Sequence, residues 1–190
     1  MNKKELRKKY LFYRKSLSKK EILEKSYKIF FQIKKIFLWD KTYYHIFLPI
    51  RKYNEINTFI LINFLLKKKK CITIPYSNFH KLSIDNCFFD KKTPLLKNKY
   101  GIFEPIKKKI VSPKLIEVIF IPLLIFDLQG YRIGYGKGFY DRFILLCKKN
   151  VIKIGLSFFD PIQNINNIHK NDLILDIGIT INNNFFFKKI

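Results

Sequence analysis

The segment Asp127–Arg142 reads DLQGYRIGYGKGFYDR and follows the apolar run Val118–Phe126. A buried strand, a glycine-rich loop and then a helix is the arrangement in which open α/β sheets bind ligands, beyond the carboxyl ends of their strands. The alternate glycines Gly134, Gly136 and Gly138 can reach positive φ and let a ligand approach the backbone closely. Successive N–H groups can then turn toward an anion, and the N-terminus of the next helix adds partial positive charge. Arg132, Lys137 and Arg142 add full charges. Asp141 would repel a bare phosphate, and it makes sense there if it holds Mg2+, a hard cation that takes carboxylate and phosphate oxygens together. Two familiar loops are excluded. A Walker A loop needs Ser or Thr after its Lys, and Lys137 is followed by Gly138; the dinucleotide fingerprint needs GxGxxG, and the spacing is GxGxG. The plainer alternative is a glycine-rich turn that binds nothing.

Periodicity places the other elements around this loop. Leu6, Tyr10 and Tyr13 stand at helical spacing in a helix from Asn2 to about Ser16. Ser18 with Glu21 three residues on forms a capping box, and that helix runs to about Ile36. Tyr43–Leu48 reads as a strand, and Asn57 or Thr58 caps a helix through about Leu66. Cys71–Pro75 and Leu82–Phe89 read as strands and residues 90–113 as loop. Glu117–Phe126 is the strongest strand; a helix over Phe139–Cys147 and strands over Val151–Phe158 and Leu173–Thr180 follow. Strands alternate with helices, which predicts a mainly parallel sheet covered by helices on both faces, a three-layer α/β/α, Rossmann-like arrangement. One domain, 1–190, suffices for this length. The tail INNNFFFKKI suggests no chemistry.

The net charge of +24 raises the possibility of a polyanion partner such as RNA. The lysines are scattered through every segment, however, and Lys, Ile, Asn and Phe abound while Trp and Met are scarce, as in a chain encoded by AT-rich DNA. A solvated surface is the expectation, with no specific nucleic-acid partner. Cys71, Cys87 and Cys147 form no CxxC pair and no disulfide framework, which fits a reducing cytoplasm. The N-terminus lacks the apolar core of a signal peptide, and no apolar run approaches the ~20 residues of a membrane span.

The loop pattern FDxxGxRxGxGxGxYDR resembles that of the 5-formyltetrahydrofolate cyclo-ligase family, also called methenyltetrahydrofolate synthetases. Lys3-x-x-x-Arg7 is similar to the family's first ATP-contacting motif, and Glu55-Ile56-Asn57-Thr58 to its folate-side motif. Gly101-Ile102-Phe103-Glu104-Pro105 resembles its GxxEP, and Asp172, Asp176 and Thr180 its C-terminal segment. The resemblance spans Lys3 to Thr180, and the glycine-rich loop is its specific element. It implies a CoA-transferase-like α/β fold and an enzyme that uses ATP to cyclise 5-formyltetrahydrofolate to 5,10-methenyltetrahydrofolate, as a monomer acting on small molecules.

The resemblance also implies roles. Lys3, Lys4, Glu5, Leu6 and Arg7 would contact ATP, together with Arg132, Ile133, Gly134, Tyr135, Gly136, Lys137, Gly138, Phe139 and Tyr140. Lys137, Arg132 and Tyr140 would be catalytic, with Lys137 stabilising charge on the transferred group. Leu48, Ile50 and Glu55 would hold the folate, with Tyr135–Phe139 touching both substrates. Asp141 and Asp172 would hold Mg2+. Plainer readings stand beside these: Lys3 and Arg7 as solvated helix charges, Glu55 as a first-turn helix residue, Asp172 as a turn cap, and Leu48–Ile50 as core. Asn171 stands where many relatives have His, with His169 two residues earlier, and Tyr135 fills a position that often holds Arg or Met. Two other classes remain open: a basic RNA-binding protein without catalysis, and a phosphosugar or CoA-ester enzyme of similar architecture.

Overall fold

The computed structural model describes residues 1–36, 38–169 and 172–188; Asn171 lies outside them. Two helices open the chain, α1 (Lys3–Lys15) and α2 (Lys19–Lys34). The expected capping box of Ser18 and Glu21 is present, and Asn2 and Glu5 form a second one at the start of α1. Each box satisfies amide groups that the first helical turn leaves without partners. A third helix, α3 (Phe59–Lys67), follows β1 (Tyr43–Ile46) and a 3₁₀ turn over Arg51–Tyr53. Thr58 precedes it, but its hydroxyl donates to the carbonyl of Phe47 at 2.6 Å and caps nothing.

Next come β2 (Cys71–Asn78), β3 (Ser83–Phe89), β4 (Leu95–Lys97), β5 (Phe103–Pro105), β6 (Val118–Pro122), β7 (Ile125–Phe126) and β8 (Arg132–Ile133). The chain continues through α4 (Phe139–Leu145), β9 (Ile152–Leu156), β10 (Ile177–Ile179) and β11 (Asn184–Phe186). The main sheet has seven strands in the order β11-β10-β9-β6-β1-β2-β3. Its five central strands are parallel, and the two edge strands, β3 and β11, run antiparallel to their neighbours.

The alternation along β6 separates the two cores. Val118 and Phe120 pack with α2 and α3 on one face, and Ile119 and Ile121 pack with α4 and Phe126 on the other. Strands buried on both faces read as continuous apolar runs, as parallel strands do. The three-layer α/β/α expectation holds.

Several expected elements differ in detail. The strand expected over Glu117–Phe126 is two: β6 ends at Pro122, which lacks an amide to continue the ladder, and β7 turns away to pair with β8. The expected loop 90–113 contains the β4–β5 hairpin. The strand expected over Leu173–Thr180 is confined to Ile177–Ile179, and the tail adds β11. Gly178 matters for close packing, since a Cβ there would lie 2.4 Å from the Phe126 ring. Asp127 closes the β7–β8 turn: it is fully buried and accepts from the amides of Gln129, Tyr131 and Ile165 at 2.9–3.0 Å.

Candidate active site

A cavity of about 930 Å³ opens beyond the carboxyl ends of the parallel strands. Phe47 and Leu48 after β1, Pro75 in β2 and Pro122 at the end of β6 form part of its wall. The same cavity receives Lys3, Lys4 and Arg7 from α1, the loop Gly134–Gly138, and Phe139, Tyr140 and Asp141 of α4. Arg132, Ile50, Glu55 and Asp172 complete the set of expected residues that line it. Motifs distant in sequence thus meet at one surface.

Glu5, Leu6 and Ile133 stand apart from that lining. The Glu5 carboxylate accepts from the Asn2 amide at 2.9 Å in the capping box. Leu6 and Ile133 are buried together with Tyr10 and Ile125, where α1 seats on the β7–β8 hairpin. Arg142 also turns away, donating to the carbonyl of Leu82 at 2.7 Å. Leu48 satisfies both of its readings: it is core and it lines the cavity.

The glycine loop is only partly as expected. Gly136 and Gly138 have φ of +88° and +66°, whereas Gly134 does not take a positive φ. At Gly136 a Cβ would stand 3.1 Å from the Arg7 guanidinium. That close approach lets Arg7 Nε donate to the Gly134 carbonyl at 3.1 Å, locking α1 onto the loop. With only seven residues, α4 contributes a short dipole, so the side chains supply most of the charge.

Two of those cations sit in ion pairs. Arg132 Nη2 contacts Asp141 at 2.8 Å, while Nη1 donates to the carbonyl of Leu173 at 3.1 Å. Lys3 Nζ forms a close ion pair with Asp172. Asp172 also accepts from the His169 amide at 2.8 Å, so it is both the turn cap and a cavity carboxylate. Burial alone would raise its pKa, but the Lys3 hydrogen bond and the His169 amide outweigh burial and hold the group below the ordinary value. Lys137 is exposed, with Nζ 5.3 Å from the centroid of the Phe79 ring. Phe79 in turn stacks on Tyr100, their ring centroids 3.8 Å apart. Both rings line the cavity and were absent from the sequence expectations.

The opposite end is buried. Glu55 accepts from the Ile50 amide at 2.7 Å and from the Tyr135 hydroxyl. Arg14, 4% exposed, donates to that same hydroxyl. Burial pushes Glu55 upward from the usual carboxylate range against the opposing pull of Arg14, Tyr135 and the Ile50 amide. The Tyr140 hydroxyl is buried without a protein partner among the described residues, and burial raises its pKa. His45 lies behind it, their ring centroids 5.9 Å apart. Its Nδ1 meets Asn86 Oδ1 at 2.8 Å, and the Asn86 amide nitrogen donates to the Val111 carbonyl at 3.0 Å. Oδ1 can only accept, so His45 Nδ1 carries the proton. Sequence reasoning missed Arg14 and His45. A lone Arg on a basic helix reads as solvated, although the spacing of Leu6, Tyr10 and Arg14 places all three on one face.

Ile102 of the GxxEP motif and Asp172 of the C-terminal motif line the cavity, while the other acidic residues of these motifs brace backbone. Glu104 is buried and accepts from the Ser77 amide at 2.7 Å, and Asp176 accepts from the Lys153 amide at 2.8 Å.

Fold and cavity define the class: an α/β protein with a basic cleft at the carboxyl ends of a parallel sheet. The sequence profile of the 5-formyltetrahydrofolate cyclo-ligase family matches residues 1–177. The chain belongs to that family. It is 32% identical over 128 residues to the 5-formyltetrahydrofolate cyclo-ligase of Haemophilus influenzae, spanning 65% of this chain and 68% of that protein. With the cyclo-ligase of Mycoplasma genitalium it is 46% identical over 48 residues, 25% of this chain and 29% of that protein. The chain thus spans under a third of that relative's length. The NMR structure of Aquifex aeolicus 5,10-methenyltetrahydrofolate synthetase superimposes with a TM-score of 0.84 at 28% identity, covering 100% of this chain and 95% of that one.

Proposed function

We propose that this chain is an ATP-dependent 5-formyltetrahydrofolate cyclo-ligase, converting 5-formyltetrahydrofolate and ATP to 5,10-methenyltetrahydrofolate, ADP and phosphate. One observation carries the reading: α1 cations, the glycine loop and buried Glu55 line a single cavity large enough for two substrates side by side. A formyl amide is a poor electrophile. Its oxygen would attack the γ-phosphorus, an O–P bond forming as ADP leaves. N10 would then attack the activated carbon and lose its proton, and the C–O bond would break to release phosphate. Such chemistry needs positioning and charge neutralisation more than a protein nucleophile.

Lys3, Lys4 and Arg7 would meet the nucleotide from α1, with Gly134–Tyr140 along its phosphates. Lys137 and Arg132 would balance charge developing on the transferred group, and Tyr140 would offer its unpartnered hydroxyl. Leu48, Ile50 and Glu55 would receive the folate. Asp141 and Asp172 would hold Mg2+. Both line the cavity, yet each already pairs with a cation, and among the described residues no three His, Cys, Asp or Glu side chains group as ligands. They therefore fit an ion that arrives with the nucleotide and keeps phosphate and water ligands. Such an ion would neutralise phosphate charge.

Three unpaired cysteines, Cys71, Cys87 and Cys147, support a reducing cytoplasm as its location. No helix among the described residues is long and apolar enough to cross a membrane. The same reading has the chain acting as a monomer on small molecules. The deciding experiment mixes purified protein with 5-formyltetrahydrofolate and MgATP. The methenyl product should appear by its near-ultraviolet absorbance together with ADP; neither forming at high enzyme concentration would sink the reading.

A further inference from the structure

Arg14 is the most deeply buried cation at the folate end, and it does not line the cavity. Its guanidinium ties three segments together. Nε donates to the carbonyl of Tyr53 in the 3₁₀ turn at 2.7 Å, and Nη1 to the carbonyl of Leu123 after β6 at 3.1 Å. Nη2 donates to the Tyr135 hydroxyl. That hydroxyl spends its own proton on Glu55 Oε1, while the Ile50 amide serves Oε2 at 2.7 Å.

Each carboxylate oxygen offers two acceptor directions. The protein occupies one on each oxygen of Glu55. One direction per oxygen is left, and Glu55 lines the cavity. A carboxylate satisfied in this way is a bidentate acceptor for two parallel N–H donors, provided it is ionised. A protonated Glu55 would present an O–H where a ligand N–H must dock.

We propose that Arg14 is a positioning residue for the substrate end of the cavity, acting through the Tyr135 hydroxyl to hold Glu55 aimed and ionised toward a ligand with two adjacent N–H donors. This rests on the proposed function, under which that ligand edge is the amino-pyrimidinone of the folate. The charged or titratable groups facing Glu55 are Arg14 from α1, Tyr135 from the loop after β8 and Tyr140 from α4; Lys52 and Tyr53 of the 3₁₀ turn line the same cavity. Arg14 is the cation that opposes the burial of Glu55. Without it Glu55 takes a proton at higher pH, and folate binding fails from the acid side.

The test compares KM for 5-formyltetrahydrofolate and KM for ATP across pH in the wild type, Arg14→Gln, Arg14→Lys and Tyr135→Phe. Arg14→Gln should raise the folate KM roughly 10- to 100-fold at neutral pH. Its acid limb should move up by about one pH unit or more. The ATP KM should change less than about twofold, because the Tyr135 hydroxyl through which Arg14 acts donates to Glu55. Arg14→Lys keeps the charge but not the planar fork, and should leave the acid limb near its wild-type position. Tyr135→Phe keeps the ring and removes only the relay, and should move the folate KM in the same direction by less. If Arg14→Gln fails to fold, Tyr135→Phe still decides. Parallel rises in both KM values with an unmoved acid limb would overturn the inference. A wild-type protein that never turns over 5-formyltetrahydrofolate would instead overturn the functional reading and this inference with it.

Discussion

The two ends of the cavity are built from different kinds of polar group. At the glycine-loop end several polar groups reach solvent: Lys137 is exposed, and the side chains of Asp141 and Asp172 are 36% and 33% accessible, although their partners Arg132 and Lys3 are 7% and 16% accessible. At the Glu55 end Arg14 and Glu55 are buried and joined through the Tyr135 hydroxyl, and behind Tyr140 buried His45 pairs with buried Asn86. A solvated charge costs little to keep and contributes little to folding. A buried polar network contributes only while every member is satisfied. At the rim Lys137 is therefore free to serve a ligand alone, whereas the floor must serve ligand and fold together.

The largest expected separation of the two roles is at Lys137. Lys137→Ala should lower turnover by roughly 10²- to 10³-fold, the scale for removing one group that stabilises developing charge. Its melting temperature should stay within about 2 °C of the wild type, because surface substitutions rarely exceed about 0.5 kcal/mol. Asp141→Asn should follow the same pattern, since the amide oxygen can still accept from Arg132. A loss of thermal stability matching the loss of turnover in both variants would erase the distinction between rim and floor.

At the floor the expected effect is on stability and depends on pH. Burial drives His45 down from 6.5 to about 4, although the Asn86 hydrogen bond opposes the shift. The unfolded chain protonates this ring near 6.5, and the folded protein only near 4. Between those values the unfolded state binds the extra proton, so stability falls as pH drops through the window and this group adds no further loss below it. The full loss is roughly 3.5 kcal/mol at about 1.4 kcal/mol per pH unit. Buried Glu55, shifted upward, has the opposite sign and gains stability on acidification. Urea midpoints of the wild type and His45→Gln at pH 7 and pH 5 isolate His45 by difference. An identical pH response in the two proteins would break the claim that the floor couples protonation to folding.

The rim was more legible in the sequence than the floor, for a physical reason. Glycine spacing, the cations around it and the capping box of Ser18 and Glu21 are local patterns. Arg14 shows its role only through Tyr53, Leu123 and Tyr135, which are 39, 109 and 121 residues away. The break between β6 and β7 was hidden because every residue from Val118 to Phe126 except Pro122 is buried. Hydrophobic periodicity cannot tell a continuous buried strand from two short ones. The β4–β5 hairpin has three-residue strands with Leu96 exposed, too short for alternation to register. In the tail, Phe185 and Phe187 pack beside Phe126 while Phe186 faces out, an alternation that the run FFF conceals.

The smallest expected effect lies on the outer surface, where most of the +24 charge resides. Lys20 and Glu24 on α2 form an i,i+4 pair at 4.0 Å with side chains 86% and 58% accessible. Lys here precedes Glu, the weaker orientation for such a pair, and solvent screens both groups. A double-mutant cycle of Lys20→Ala and Glu24→Ala should give a coupling below about 0.3 kcal/mol that disappears in high salt. Lys3 and Asp172 offer the matching cycle at the rim: their side chains are 16% and 33% accessible and in closer contact, so their coupling should be the larger of the two. Equal couplings would mean that enclosure by the cavity adds nothing to an ion pair. A larger coupling at Lys3 and Asp172 would place the rim between the solvated surface and the buried floor, where a group can be held in position for a ligand without becoming part of what keeps the chain folded.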